Sequence, residues 1–104
     1  MQTRETGAKS VLIHIKYFAA IRDIVGKREE QIQVERGSTV NEVLNKLTEI
    51  YGERLRNYVF DDKGHLKGNL SVLINGENIG REGYDRTVLR SRDILVILPP
   101  IAGG

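Results

Sequence analysis

Hydrophobic and polar positions alternate along the chain in two distinct rhythms. From Val11 to Phe18 the period is two. Val11, Ile13, Ile15 and Tyr17 share one face, and Leu12, His14, Lys16 and Phe18 share the other. This predicts a first strand with one buried face and one mixed face, on which Phe18 is the large apolar exception. Ala19 to Gly26 carries Ile21, Ile24 and Val25 and closes on glycine, which fits one or two helical turns with a glycine stop. Alternation returns through Ile32 and Val34, predicting a second strand over 29–35, antiparallel to the first. The rhythm then changes. Val40, Val43, Leu44, Leu47, Ile50 and Tyr51 form one apolar stripe at helical spacing. Ser38 or Thr39 can cap that helix, Glu42 stands where a capping box needs it, and Gly52 ends it.

Beyond the helix the pattern is less regular. Glu53 to Phe60 reads as a short helix or an irregular packed segment. Asp61-Asp62-Lys63-Gly64-His65 reads as a polar turn. Leu70 to Ile74 is a third strand with Leu70, Val72 and Ile74 on one face, and Asn75-Gly76 is a hairpin signal. Asn78 to Leu89 is polar and fits a short turn or edge segment. Ile94 to Leu98 is the last strand. Strands and one long helix in this order predict an α+β fold of two layers, with a mixed sheet of four to five strands and the main helix on one face.

The last strand carries the functional argument. All five residues from Ile94 to Leu98 are apolar, so both of its faces favour burial. One helix covers only one sheet face. Either this strand is central and covered on both sides, or Ile94, Val96 and Leu98 join Phe18 in an outer apolar patch, a partner surface. Pro99 and Pro100 stop the strand, since neither donates a backbone hydrogen bond. Ile101, Ala102, Gly103 and Gly104 follow. A diglycine end is what a frayed terminus looks like. It is also slim enough to enter a tunnel closed to residues with a Cβ. The expected organisation is a disordered lead-in over 1–10, one domain over 11–98 and a flexible tail over 99–104.

Composition removes the rival chemistries. With 104 residues the chain builds one domain and one modest core. Sixteen basic and 14 acidic residues leave a net charge of +2, too even for a nucleic-acid surface. There is no cysteine, which excludes disulfides, thiolate metal sites and cysteine nucleophiles and fits a cytoplasmic location. No run is long enough to span a membrane, and the polar opening 1–10 lacks a signal-peptide core. His14 reads as a solvated strand residue. His65 near Asp61 and Asp62 lacks a third clustered ligand, so no metal site is expected. Gly76, Gly80 and Gly83 make no phosphate cradle. No nucleophile, base and orienting group stand together, so no side-chain active site is expected.

Three stretches resemble one family, the MoaD-type small subunits of molybdopterin synthase within the ubiquitin-like β-grasp sulfur carriers. They are Tyr17-Phe18-Ala19-Ala20-Ile21-Arg22-Asp23 with Gly26, then Val72-Leu73-Ile74-Asn75-Gly76, and then Asp93-x-Leu95 leading to Pro99-Pro100-Ile101-Ala102-Gly103-Gly104. Arg92 stands where the family commonly has glycine, and Leu98 where it commonly has an aromatic residue. The resemblance implies a β-grasp fold and a carrier that binds no cofactor of its own. A ubiquitin-activating-type (E1-like) enzyme would use ATP and Mg²⁺ to adenylate the Gly104 carboxylate. Sulfur from a persulfide donor would then replace AMP, leaving a thiocarboxylate for the large synthase subunit to use in molybdopterin synthesis. Phe18, Val96 and Leu98 would dock on both partners, with Pro99, Pro100, Ile101 and Ala102 leading Gly103 and Gly104 into their sites. The same tail would also serve a protein modifier joined to target lysines, or a carrier for thiamine synthesis or tRNA thiolation.

Overall fold

The computed structural model describes residues 9–99, apart from the side chains of Arg81 and Glu82. Nine elements follow one another: β1 (Ser10–Tyr17), α1 (Ala19–Val25), β2 (Glu29–Glu35), α2 (Val40–Tyr51), α3 (Glu53–Val59), β3 (Ser71–Ile74), β4 (Glu77–Asn78), α4 (Gly80–Gly83) and β5 (Ile94–Leu98). The strands form one sheet in the order β2-β1-β5-β3-β4. β5 runs parallel to β1 and antiparallel to β3, which puts the last strand in the middle of the sheet. This is the expected two-layer, mixed-sheet architecture, with five strands.

Alternation in β1 sorts its side chains as the sequence predicts. Val11, Ile13, Ile15 and Tyr17 are buried beneath the helices, while Leu12 is exposed and His14 and Lys16 are half-buried. Ser10 already belongs to the strand, and the Lys9 carbonyl accepts a hydrogen bond from the Arg36 N–H at 2.8 Å. The polar lead-in is therefore shorter than the expected 1–10. Residues 1–8 lie outside the described residues.

α2 starts at a complete capping box. The Thr39 hydroxyl accepts from the Glu42 N–H at 3.2 Å, and the Glu42 carboxylate accepts from the Thr39 N–H at 2.9 Å. The segment before β5 holds this end in place: Val40 N–H donates to the Thr87 carbonyl and Leu89 N–H to the Ser38 carbonyl. Val40, Val43, Leu44 and Leu47 are buried against the sheet, each contributing about 1.5–3 kcal/mol of apolar burial. Ile50 departs from the expected stripe. It is 53% exposed, and Thr48 is buried in its stead, donating its hydroxyl to the Asn45 carbonyl at 2.8 Å. The stripe continues from Leu47 to Tyr51, four residues on, and this turns Ile50 toward the margin beside β2.

The far end of α2 is tied down by polar contacts. The hydroxyls of Tyr17 and Tyr51 both donate to one Glu30 carboxylate oxygen at 2.5 Å. Lys27 donates to the other oxygen at 3.3 Å and lies over the Tyr51 ring. Burial pushes the Glu30 carboxyl up, but the hydrogen bonds from Tyr17, Tyr51 and Lys27 outweigh it and hold it below the usual glutamate range. Burial first, then the Glu30 carboxylate, pushes the Tyr17 hydroxyl far above the ordinary tyrosine value.

Glu53 to Phe60 resolves as α3, which buries Leu55 and Val59. Leu70 precedes β3 instead of opening it but is still buried. The polar stretch 61–68 is anchored at both ends: Phe60 and Leu66 form a bridge and both are buried. Inside it the Asp61 carboxylate accepts from the N–H groups of Lys63 and His65, so loop geometry accounts for the acidic pair. The expected turn segment between Asn78 and Leu89 contains the single turn α4.

Candidate functional site

The site is built on the last strand. Leu95 and Ile97 point into the core and are fully buried. Ile94, Val96 and Leu98 alternate to the opposite face and are only half-buried. Both sequence readings of this strand thus hold in part. It is central in the sheet, yet its outer face is open.

Register sets the neighbours on that face. Val96 lies between Lys16 of β1 and Leu73 of β3, and Leu98 lies beside Ser71. Tyr17 pairs with Ile97, so Phe18 falls level with Leu98 as the parallel register continues. Phe18 is 40% exposed at the point where Ala19 turns the chain away with φ +52°. The structure therefore brings Phe18, Val96 and Leu98 to one face at one end of the sheet. Pro99 continues from that corner and is half-buried. Pro100, Ile101, Ala102, Gly103 and Gly104 lie outside the described residues.

The patch is larger than the sequence argument proposed. Leu12 is 41% exposed on the same face, and half-buried Leu73 flanks Val96. Leu12 shares the parity of Phe18 in β1, which was the available signal. Leu73 could not be placed without the β3–β5 register. His14 is not simply solvated: its Nε2 lies 2.7 Å from a Glu29 carboxylate oxygen, at the β2 side of the patch. Apolar groups thus face outward along the centre of the sheet, with polar groups at the β2 margin.

The second and third sequence stretches meet at the other end of β5. The Asn75 side chain accepts from the Ile94 N–H and donates to the Asp93 carboxylate, both at 2.9 Å. The other Asp93 oxygen accepts from the Arg90 N–H at 2.7 Å. Asn75 and Gly76 adopt φ +53° and +87°, the left-handed pair that a two-residue hairpin needs. These residues are fittings that hold the hairpin to the start of β5, upstream of the tail. Among the described residues no three histidine, aspartate or glutamate side chains gather to hold a metal. No helix among them is long and apolar enough to cross a membrane.

A profile of the ThiS family matches residues 15–104, from the first strand through the diglycine end. The chain belongs to the ThiS family. That places it among the ubiquitin-like sulfur carriers with the β-grasp fold, as the sequence motifs implied. Small archaeal modifier protein 3 of Haloferax volcanii is 30% identical over 92 residues, 88% of this chain and 98% of that protein. A putative sulfur carrier protein of Archaeoglobus fulgidus is 35% identical over 66 residues, 64% of this chain and 74% of its own length. The crystal structure of SAMP1 from Haloferax volcanii superposes with a TM-score of 0.76 at 30% identity, covering 89% of this chain and 99% of the other. The strand that leads to the terminal Pro-Pro-Ile-Ala-Gly-Gly segment is held on both sides by neighbours and left open on its outer face.

Proposed function

We propose that this ThiS-family chain carries sulfur on its terminal glycine for molybdopterin synthesis. The observation behind this reading is the outward apolar corner of Phe18, Val96 and Leu98 at the root of a Pro-Pro-Ile-Ala-Gly-Gly tail. A carboxylate is a poor electrophile until its oxygen attacks the α-phosphate of ATP and pyrophosphate leaves. The terminal sulfur of a persulfide attacks the resulting acyl adenylate and AMP departs, leaving an acyl disulfide; a thiol then attacks the donor's sulfur, forming a disulfide with it and releasing the Gly104 thiocarboxylate. The E1-like activating enzyme supplies ATP and Mg²⁺, and this chain supplies the docking face and the reacting carbon. Extended, residues 98–104 reach on the order of 20 Å, enough for a recessed pocket in the activating enzyme or in the large synthase subunit. The two prolines cut the entropy lost as the tail is threaded. The double proline before the glycines supports the molybdopterin assignment over the thiamine one.

A second reading has its own support. The relative that matches over most of its length carries the name of a small archaeal modifier protein. In that role the same adenylate is consumed by a lysine amine, and an isopeptide bond forms at Gly104.

Intact mass of the full chain, after incubation with its activating enzyme, ATP and a sulfur donor, tests the carrier reading. The expected change is one oxygen exchanged for one sulfur, and Gly104→Ala should reduce it without changing the melting temperature. An unchanged mass under conditions that convert a known carrier would refute the carrier reading. Conversion of precursor by the large synthase subunit supports the first reading, and lysine-linked conjugates without such conversion support the second.

A further inference from the structure

β2 is an edge strand with its outer backbone unused by the sheet. Among the described residues it pairs only with β1, and the antiparallel register fixes which groups are committed. Tyr17 N–H donates to the Arg28 carbonyl, and Arg36 N–H donates to the Lys9 carbonyl. In an antiparallel pair the bonded positions alternate, so residues 28, 30, 32, 34 and 36 turn their peptide groups toward β1. Those of Glu29, Gln31 and Gln33 point away from the sheet, and all three residues are exposed. Such a row is a template for one more strand.

A groove of about 520 Å³ runs alongside, between this edge and α2. Val34, Val43 and Ile50 give it an apolar floor and wall. Ile50 is the residue that left the core stripe, and it is 53% exposed. Three glutamates, Glu35, Glu42 and Glu49, face the groove against a single cation, Lys46. The lining is therefore net negative in a chain whose net charge is +2.

We propose that this margin binds an extended, basic peptide segment of a partner protein, which adds to β2 as a sixth strand. Its backbone pairs with Glu29, Gln31 and Gln33. Alternate aliphatic side chains enter the groove onto Val34, Val43 and Ile50, and the intervening lysine or arginine side chains, on the outer face, meet Glu35, while Glu49 adds to the negative field of the margin. An acidic segment is repelled by the same glutamates, as is a second copy of β2, whose own Glu29 and Glu35 are exposed. The site lies at the β2 margin on the helix side, apart from the outer corner beside the tail. It therefore stands whatever the terminal glycine does, and it allows one partner to be held while another handles the tail.

The test is an amide-resolved NMR titration of the full chain with a blocked eight-residue peptide of alternating valine and lysine. A peptide of alternating valine and glutamate is the control. Saturable shifts are expected at Gln31, Gln33, Lys46, Glu49 and Ile50, with slowed amide exchange at Gln31 and Gln33. The Glu35→Lys/Glu49→Lys double variant should weaken binding by about tenfold or more. Gln33→Pro should do the same, since it removes an outward N–H that the fold does not use. Should Gln33→Pro fail to fold, the surface double variant decides alone. Equal binding of the glutamate peptide, shifts confined to Phe18, Val96 and Leu98, or no saturable shift at millimolar peptide would each overturn the proposal.

Discussion

Asn75 and Ile94 exchange two hydrogen bonds where the β3–β4 turn meets the start of β5. The Asn75 N–H donates to the Ile94 carbonyl at 2.9 Å, and the Ile94 N–H donates to the Asn75 side-chain oxygen at 2.9 Å. One residue thus shapes the β3–β4 turn and fixes where β5 begins. The start of β5 sets the parity of the whole strand, and so decides which of its side chains face outward at the tail root.

This double role separates on substitution. Asn75→Gly keeps the φ +53° conformation free of strain but deletes the bonds to Ile94 and Asp93, costing about 1–2 kcal/mol. Asn75→Ala loses the same bonds and adds a left-handed penalty of about 1 kcal/mol. Denaturant unfolding should rank wild type above glycine and glycine above alanine. A glycine variant as stable as wild type would mean that the side-chain bonds contribute nothing.

Arg92 adopts φ +73°, a conformation suited to glycine, while its N–H donates to the Leu12 carbonyl at 2.7 Å. Glycine would be the easier residue for this turn. Arg92→Gly removes a steric cost of about 1–2 kcal/mol and gives back part of it as backbone entropy. The net expectation is a gain of about 0.5 kcal/mol, or about 2–4 °C in melting temperature. Arg92→Val should lose stability instead, because a β-branched residue fits poorly at positive φ. Calorimetry that ranks valine at or above arginine would contradict the strained turn.

The Tyr17–Glu30–Tyr51 cluster makes stability depend on pH at both ends of the range. Glu30 is held below the ordinary glutamate value when folded. Its contribution is complete above the unfolded value of about 4.3 and is lost as the pH falls through the lower folded value. Tyr17 and Tyr51 are raised when folded. Their contribution is complete below the unfolded value of about 10 and fades as the pH rises beyond it. Glu30→Gln should cost about 1–3 kcal/mol at neutral pH and flatten both limbs of the melting profile. Tyr17→Phe should flatten the alkaline limb and, by removing one of the hydrogen bonds that lower Glu30, part of the acid limb as well. Parallel profiles for wild type and Glu30→Gln would show that the cluster is not the source.

The fold was legible where periodicity is strong. The β1 alternation, the α2 stripe, the Thr39–Glu42 cap and the Asn75-Gly76 turn are local signals, and each is found in the structure. The errors fall where tertiary context decides. Ile50 satisfies helical spacing, but the packed helix turns it to the open margin beside β2. Leu73 acquires its place beside Val96 only through the β3–β5 pairing, which no local pattern encodes. The open edge of β2 was equally hidden, because strand order is a property of the assembled sheet. Of the candidate site, the sequence picked out Phe18, Val96 and Leu98 by parity and helix count. Their convergence at one corner required the parallel β1–β5 register.

That convergence makes a graded prediction about docking. Phe18 and Leu12 are exposed to nearly the same extent, 40% and 41%, on the same face of β1. They differ in position: Phe18 is level with Leu98 at the tail root, whereas Leu12 lies at the opposite end of the strand, where the Arg92 N–H meets its carbonyl. Truncating either side chain to serine should cost about 1 kcal/mol of stability or less, since each is already partly in water. If the face as a whole were merely tolerated exposure, the two variants should behave alike toward the activating enzyme. If the corner beside the tail is the docking centre, Phe18→Ser should reduce ATP-dependent pyrophosphate release by about tenfold or more, the loss typical of an anchor in a protein interface. Leu12→Ser should then lose much less. The comparison is made at saturating ATP and limiting carrier, so that the loss registers as weakened carrier binding. Equal activity in the two variants would remove the Phe18 corner from the docking surface and leave recognition to the tail.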